Sequence, residues 1–211
     1  MARTTGLSKK QLSVLGQLKR LPGLNGFYLA GGSAVGWLYD HRRSADLDLF
    51  SSSRLKSLEP VIDSLVLGGA TVHAQTDVSG ALLVSGVAID LVSYPYRPLK
   101  RPTIGPSGFA TASPIDLAVM KLSAIARRGL RRDFWDLFEL LTQGKQSLPS
   151  VLKAYRDRYN KAASDTYHVA RALTFFDDAE RDDPRLIGLS RRKWKEVKDF
   201  FRDQSTPLIL K

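Results

Sequence analysis

The sequence predicts a mixed α/β fold of the α+β kind, with a small mixed sheet within residues 1–108 and an α-helical part over residues 109–211. Three observations carry this expectation. Between Phe27 and Phe50 an apolar run, a glycine turn, a short amphipathic segment and an alternating run read as strand, turn, helix, strand. Between Ala70 and Val92 short apolar runs rich in β-formers are separated by turn residues. Beyond Gly108 the apolar period lengthens to that of helices, and cap signals replace turn signals.

The 211 residues suffice for one sizeable core, or for a small domain with a helical appendage. With 43% hydrophobic and 25% charged residues, the composition is that of an ordinary soluble globular protein. No apolar run approaches the ~18 residues that a membrane helix needs, and no signal-peptide core opens the chain, so a cytoplasmic location without a membrane partner is expected. The absence of cysteine excludes disulfides, thiolate metal sites and cysteine nucleophiles. His41, His73 and His168 are too scattered to suggest zinc. A net charge of +11 points to a polyanionic partner, nucleic acid first.

Taken in order, Leu12, Leu15 and Leu18 at helical spacing after Ser8 predict a packing helix over 8–19, closed by Pro22 and Gly23. After the Phe27–Phe50 stretch, Ser53 is a candidate cap for a helix over 54–67, with Leu55, Leu58, Ile62 and Leu65 inward and Gly68-Gly69 ending it. Strands follow at Ala70 to Gln75, Ala81 to Val84 and Val87 to Val92, the last two joined by a tight turn at Ser85-Gly86. Tyr94 to Gly108, with four prolines among Arg97, Lys100 and Arg101, reads as an extended basic connector. Ser113-Pro114-Ile115-Asp116 opens a helix that runs to Arg128 and stops at Gly129. Leu117, Met120 and Ala124 suit burial there, while Lys121, Ile125 and Arg128 share another stripe. A helix at 131–141 and three more within 148–202 complete the chain. Tyr155, Tyr167, Trp194 and Phe201 fall at helical spacing and read as core more readily than as base-stacking groups.

The candidate chemistry lies in the strand-turn-helix-strand unit. Asp46 and Asp48 share one face of a strand, with Leu47 and Leu49 on the other. Two carboxylates so placed repel each other, and a hard divalent cation such as Mg²⁺ relieves that repulsion. Gly31 and Gly32 leave the backbone open to a phosphate, and the N–H groups of the following helix can bind it. Asp90 interrupts the apolar run Val87 to Val92; it either faces water on an edge strand or supplies a third carboxylate. Asp133 and Asp136 either start a helix as capping residues, or orient basic side chains while Lys121 neutralises triphosphate charge.

Gly-Gly-Ser, about a dozen residues, then Asp-x-Asp resembles the signature of the DNA polymerase β-type nucleotidyltransferase superfamily. The ordered set Gly31-Gly32-Ser33, His41 to Phe50, Ile89-Asp90-Leu91, Lys121 to Gly129, Arg131 to Leu137 and Leu173 to Glu180 resembles the AbiEii/AbiGii toxin-type nucleotidyltransferase family. The likeness spans about Gly26 to Phe201. It implies a polymerase β-like nucleotidyltransferase core, and a helical C-terminal domain that completes the active site. By motif, Gly31, Gly32, Ser33, Arg43, Ser44, Lys121, Arg128 and Asp136 would bind nucleotide. Asp46, Asp48 and Asp90 would hold Mg²⁺, in a one- or two-metal site with Mn²⁺ as an alternative, and Lys121 with Asp133 would form the second catalytic motif.

The expected function is Mg²⁺-dependent transfer of a nucleoside monophosphate from an NTP to RNA, the 3′ end of tRNA foremost, by a toxin with a cognate antitoxin. The basic side chains Arg156, Arg158, Lys161, Arg171, Arg191, Arg192, Lys193 and Lys195 are candidates for an RNA-facing surface. Transfer to a protein or a small molecule is the rival within enzymology. A protein that binds nucleotide or a partner without turnover is the rival from another class.

Overall fold

The computed structural model describes residues 6–51, 55–181 and 187–209. The chain divides into two units, Met1–Ser113 and Pro114–Lys211.

In the first unit Ser8 begins helix α1 (Lys9–Leu18) with a full capping box, its hydroxyl accepting from the Gln11 N–H while the Gln11 side chain accepts from the Ser8 N–H. Strand β1 (Phe27–Leu29) leads into helix α2 (Gly31–Tyr39), which ends on Asp40 in the left-handed region. Strand β2 (Asp46–Ser51) returns antiparallel to β1. Helix α3 (Glu59–Leu67) follows, then β3 (Thr71–Gln75), β4 (Ser79–Val84) and β5 (Val87–Ser93). The helix begins at Glu59, later than the expected 54, because Pro60 favours the first turn and restricts the residue before it. The proposed Ser53 cap lies outside the described residues. Ser85 and Gly86 both carry positive φ, 48° and 69°, which gives the tight β4–β5 turn the twist that a hairpin needs.

The sheet has the order β3-β4-β5-β2-β1-β7-β6, where β6 is Thr103–Ile104 and β7 is Ala110–Thr111. Its centre is a parallel pair: β2 runs beside β5 with Asp48 opposite Asp90. Leu47, Leu49, Ile89 and Leu91 point together into the core, each at most 1% exposed. The expected connector over 94–108 therefore includes strand β6, and β7 lies parallel to β1. Strand β7 belongs to the first unit, which ends at Ser113. Strands of two residues have no period to read in a sequence.

The second unit is helical: α4 (Pro114–Arg128), α5 (Arg131–Thr142), α6 (Leu148–Tyr159), α7 (Ala163–Ala172), α8 (Asp177–Arg181) and α9 (Arg191–Ile209). Helix α4 packs against α5, α6 and α7, so its buried stripe is wider than expected. Lys121, Leu122 and Ile125 are buried, whereas Met120 and Ala124 are only half-buried. Tyr155, Trp194 and Phe201 lie in the core as expected, but Tyr167, read as core from its spacing, is 44% exposed. Phe134, fully buried, meets Phe176, Trp194 and Phe201 with ring centroids 5.1, 6.1 and 5.6 Å away. Such tilted and edge-on pairs add to the area they bury.

Phe134→Ala empties the centre of this cluster. It should cost about 3–5 kcal/mol, read as a lower urea midpoint with an unchanged slope.

Candidate active site

The first turn of α2 and the start of β2 are tied together atom by atom. The Ala30 N–H donates to the Asp48 carbonyl at 2.8 Å, and the Asp48 N–H donates to Ser33 Oγ at 3.0 Å. Ser33 Oγ has two acceptors for its proton, the Ala30 carbonyl at 3.1 Å and Asp48 Oδ2 at 3.3 Å. The Ser33 N–H reaches the same Oδ2 at 3.4 Å. The Asp48 carboxylate thus stands at the N-terminus of α2, where unpaired N–H groups and the helix dipole favour negative charge.

Gly31 permits this approach. Its φ is +53°, and a Cβ there would overlap Asp48 Oδ2. The open side of Gly32 faces the guanidinium of Arg42, which is 8% exposed and donates from Nη1 to the Arg43 carbonyl at 3.2 Å. Of the basic turn, Arg42 is therefore the residue placed beside the glycine loop, and Arg43 is exposed. Sequence reading missed Arg42 because two adjacent arginines in a turn carry no periodicity to separate them.

Asp46, Asp48 and Asp90 share one face of β2 and β5, since register partners in a parallel pair project to the same side. Ser44 Oγ donates to Asp46 Oδ1 at 3.3 Å. The turn that carries Ser44 is held from α1 and the segment before it: Gln11 Nε2 donates to the Ser44 carbonyl at 3.1 Å, and the Ser44 N–H donates to the Gly6 carbonyl at 3.1 Å. Burial first, and the Asp46 carboxylate second, push the Asp90 carboxyl above its ordinary 3.8. Among the described residues no three histidine or acidic side chains gather as a metal-holding group; Mg²⁺ asks for only one or two carboxylates beside waters and substrate phosphates.

The second unit holds the other expected motif as a buried, charge-balanced cluster. Lys121 Nζ lies 3.0 Å from Asp133 Oδ1 and 2.7 Å from Asp136 Oδ2, and both carboxylates have no exposed side-chain surface. Arg128, half exposed, grips Asp133 with two bonds of 2.8 and 3.1 Å. Burial by itself would raise the Asp133 carboxyl, but the Lys121 charge and then the Arg128 bonds outweigh it and hold it below 3.8. Leu130, and neither acid, is the N-cap of α5; Asp133 stands in the first turn of that helix, and both carboxylates point to Lys121.

The candidate RNA-facing cations divide. Arg158 is buried on Asp116 at 2.8 Å, while Lys193 and Lys195 pair with Glu196 and Asp199. Lys161, Arg171, Arg191 and Arg192 are exposed.

The family model of the AbiEii nucleotidyl transferase toxin of type IV toxin–antitoxin systems matches residues 13–208. The chain belongs to that family. It is 30% identical over 201 residues to an uncharacterised protein of Aquifex aeolicus, covering 93% of this chain and 94% of that one. Its fold is similar to that of the nucleotidyltransferase toxin MenT4 of Mycobacterium tuberculosis, with a TM-score of 0.54, 15% identity, and coverage of 92% of this chain and 84% of that one. As an AbiEii family member the protein is a nucleotidyltransferase. Among the described residues no helix is long and apolar enough to cross a membrane.

Three outcomes follow from the charges. Asp90→Asn, which removes a half-buried charge and with it the repulsion from Asp46, should stabilise the metal-free protein at pH 7 by up to about 1 kcal/mol, seen as a higher melting temperature. The gain should vanish below the ordinary carboxylate value of 3.8, where Asp90 is protonated whether folded or not. Asp133 has the opposite sign. Its lowered value contributes stability above 3.8 that is lost as pH falls through the folded value. Lys121→Ala, which strips charge compensation from two buried carboxylates, should cost about 3–5 kcal/mol at pH 7 in chemical denaturation.

Proposed function

We propose that the protein transfers a nucleoside monophosphate from an NTP to the 3′ end of an RNA, a tRNA foremost, as the toxin partner of a cognate antitoxin. The observation that carries this reading is the shared face of Asp46, Asp48 and Asp90 beside the Ser33 end of α2. In the proposed reaction the acceptor hydroxyl oxygen bonds to the α-phosphorus while the bond from that phosphorus to the bridging oxygen breaks, and pyrophosphate leaves with that oxygen. Asp46 and Asp48, with Asp90 as third carboxylate, would hold Mg²⁺ or Mn²⁺, which supplies charge stabilisation on the attacking and leaving oxygens.

The chain's own groups have separate parts in this reading. Ser33, Gly31, Gly32 and Ser44 frame the triphosphate at the α2 N-terminus, where backbone N–H groups suit an anion. Arg42 beside Gly32, and the exposed Arg43, offer the positive charge that a polyphosphate requires. Asp90, the third carboxylate of that face, would accept the proton of the attacking hydroxyl. Lys121, Asp133 and Asp136 balance one another, so they act as the scaffold that sets Arg128 at the surface of the second unit. The +11 charge, and the exposed Lys161, Arg171, Arg191 and Arg192, support RNA over a small acceptor. A cytoplasmic location, where NTPs and RNA meet, belongs to the same reading.

The test incubates purified protein with total RNA, Mg²⁺ and each α-labelled NTP in turn. One NTP should label a tRNA-sized band, and Asp46→Ala should lower the rate by at least about a thousandfold while melting as a folded protein. Label in protein or in small molecules would move the acceptor class. NTP binding without transfer to any acceptor would reduce the site to a binding site.

A further inference from the structure

The carboxylate face of the sheet does not end at the acids. Alternation carries it along β2 from Asp46 and Asp48 to Phe50, and along β5 from Asp90 to Val92 and on to Tyr94. The Tyr94 N–H donates to the Ser51 carbonyl at 2.8 Å, which continues the parallel pairing past the end of β5. Tyr28 on β1 lies opposite Phe50 in register and projects to the same side. The rings of Phe50, Tyr94 and Tyr96 then follow one another with 5.3 and 5.1 Å between centroids. Tyr28 is 3% exposed, Phe50 and Tyr94 are half-buried, and Tyr96 is 37% exposed, so the row is anchored in the sheet and opens toward solvent. The core does not call for these rings, because Leu47, Leu49, Ile89 and Leu91 fill it from the opposite face.

We propose that Phe50, Tyr94 and Tyr96 form a stacking row for the unpaired 3′-terminal bases of the acceptor strand. This rests on the reading of the acid face as a site of transfer to RNA. Helix α2 starts level with Asp48, where the Ala30 N–H meets the Asp48 carbonyl, and that end belongs to the donor triphosphate in the same reading. The aromatic row leaves Asp48 in the other direction, with Phe50 roughly 7 Å further along the strand. An acceptor whose terminal hydroxyl must reach the acids therefore comes in over the rings. Every base has a π-face, so the row selects an unpaired end rather than a sequence. Stacking uses the rings and leaves the phenol oxygens the hydrogen bonds they make. Arg97, Lys100 and Arg101, all exposed, follow Tyr96 in the chain and bring positive charge to the phosphates of such a strand.

Fluorescence anisotropy of a 5′-labelled single-stranded RNA oligonucleotide, in EDTA so that no transfer occurs, tests the row. Tyr96→Ala should melt like the wild type and bind the strand at least about fivefold more weakly, the weight of one stacked base. Tyr96→Trp, which restores a planar ring, should recover the affinity. A strand of the same length whose 3′-terminal nucleotides are abasic should bind the wild type and Tyr96→Ala equally, since the stacking partner is already gone. A merely structural role of Tyr96 would leave the deficit in place on both strands. Equal affinity of wild type and Tyr96→Ala for the intact strand, or a deficit that persists on the abasic one, would overturn the proposal. Loss of free ATP binding by Tyr96→Ala with strand binding intact would also overturn it, assigning the row to the donor base. Wild-type protein that binds no RNA at all would instead overturn the RNA reading on which the proposal rests.

Discussion

The first unit depends on one close approach, that of the Asp48 carboxylate to the backbone of Gly31. An anion placed against a helix N-terminus gains from the dipole and the unpaired N–H groups. It can come that near only where no Cβ intervenes and where φ may be positive. The approach also fixes the geometry of its neighbours. With the Ala30 N–H on the Asp48 carbonyl and the Asp48 N–H on Ser33 Oγ, helix α2 is clamped to the strand that carries Asp46 and Asp48. The leucines that alternate with these acids lock that strand into the core, so the acids have no freedom to turn away from their face.

Charge is handled in opposite ways in the two units. On β2 and β5 like charges share one face, and burial first and the Asp46 carboxylate second raise the Asp90 proton affinity. Around Lys121 every carboxylate has a cation within hydrogen-bond reach, and the Asp133 proton affinity is lowered. Like charges gathered on one face suit a binding site for a counter-ion. Compensated charge deep between α4 and α5 is what a scaffold tolerates, because a lone ion there would be costly. A second buried cation repeats the scaffold pattern: Arg131 donates to the Ala179 carbonyl and to Glu180 while lying over the Trp194 ring, which ties α5, α8 and α9 into one core.

Much of the architecture could be read before any coordinates, and for identifiable reasons. The Ser8 cap, the Ser85-Gly86 turn and the opening of α4 at Pro114 are signals within four residues of chain, so they survive the loss of tertiary information. Strands β6 and β7 and the short helix α8 were not legible, because elements of two to five residues are made by their partners rather than by their own pattern. The buried face of α4 was misjudged for a related cause. Three helices pack on it, and a single stripe cannot describe a helix surrounded on several sides.

The sequence by itself determined the order of elements, the sharing of one strand face by Asp46 and Asp48, the glycines before a helix and the family to which they point, since all of these are set by spacing along the chain. Only the tertiary structure decided that Asp48 rather than open space lies over Gly31, that Arg42 and not Arg43 sits by the loop, and that Lys121 is held between two buried carboxylates. Spacing states which side chains share a face; distance through space states which of them meet, and charges are balanced through space.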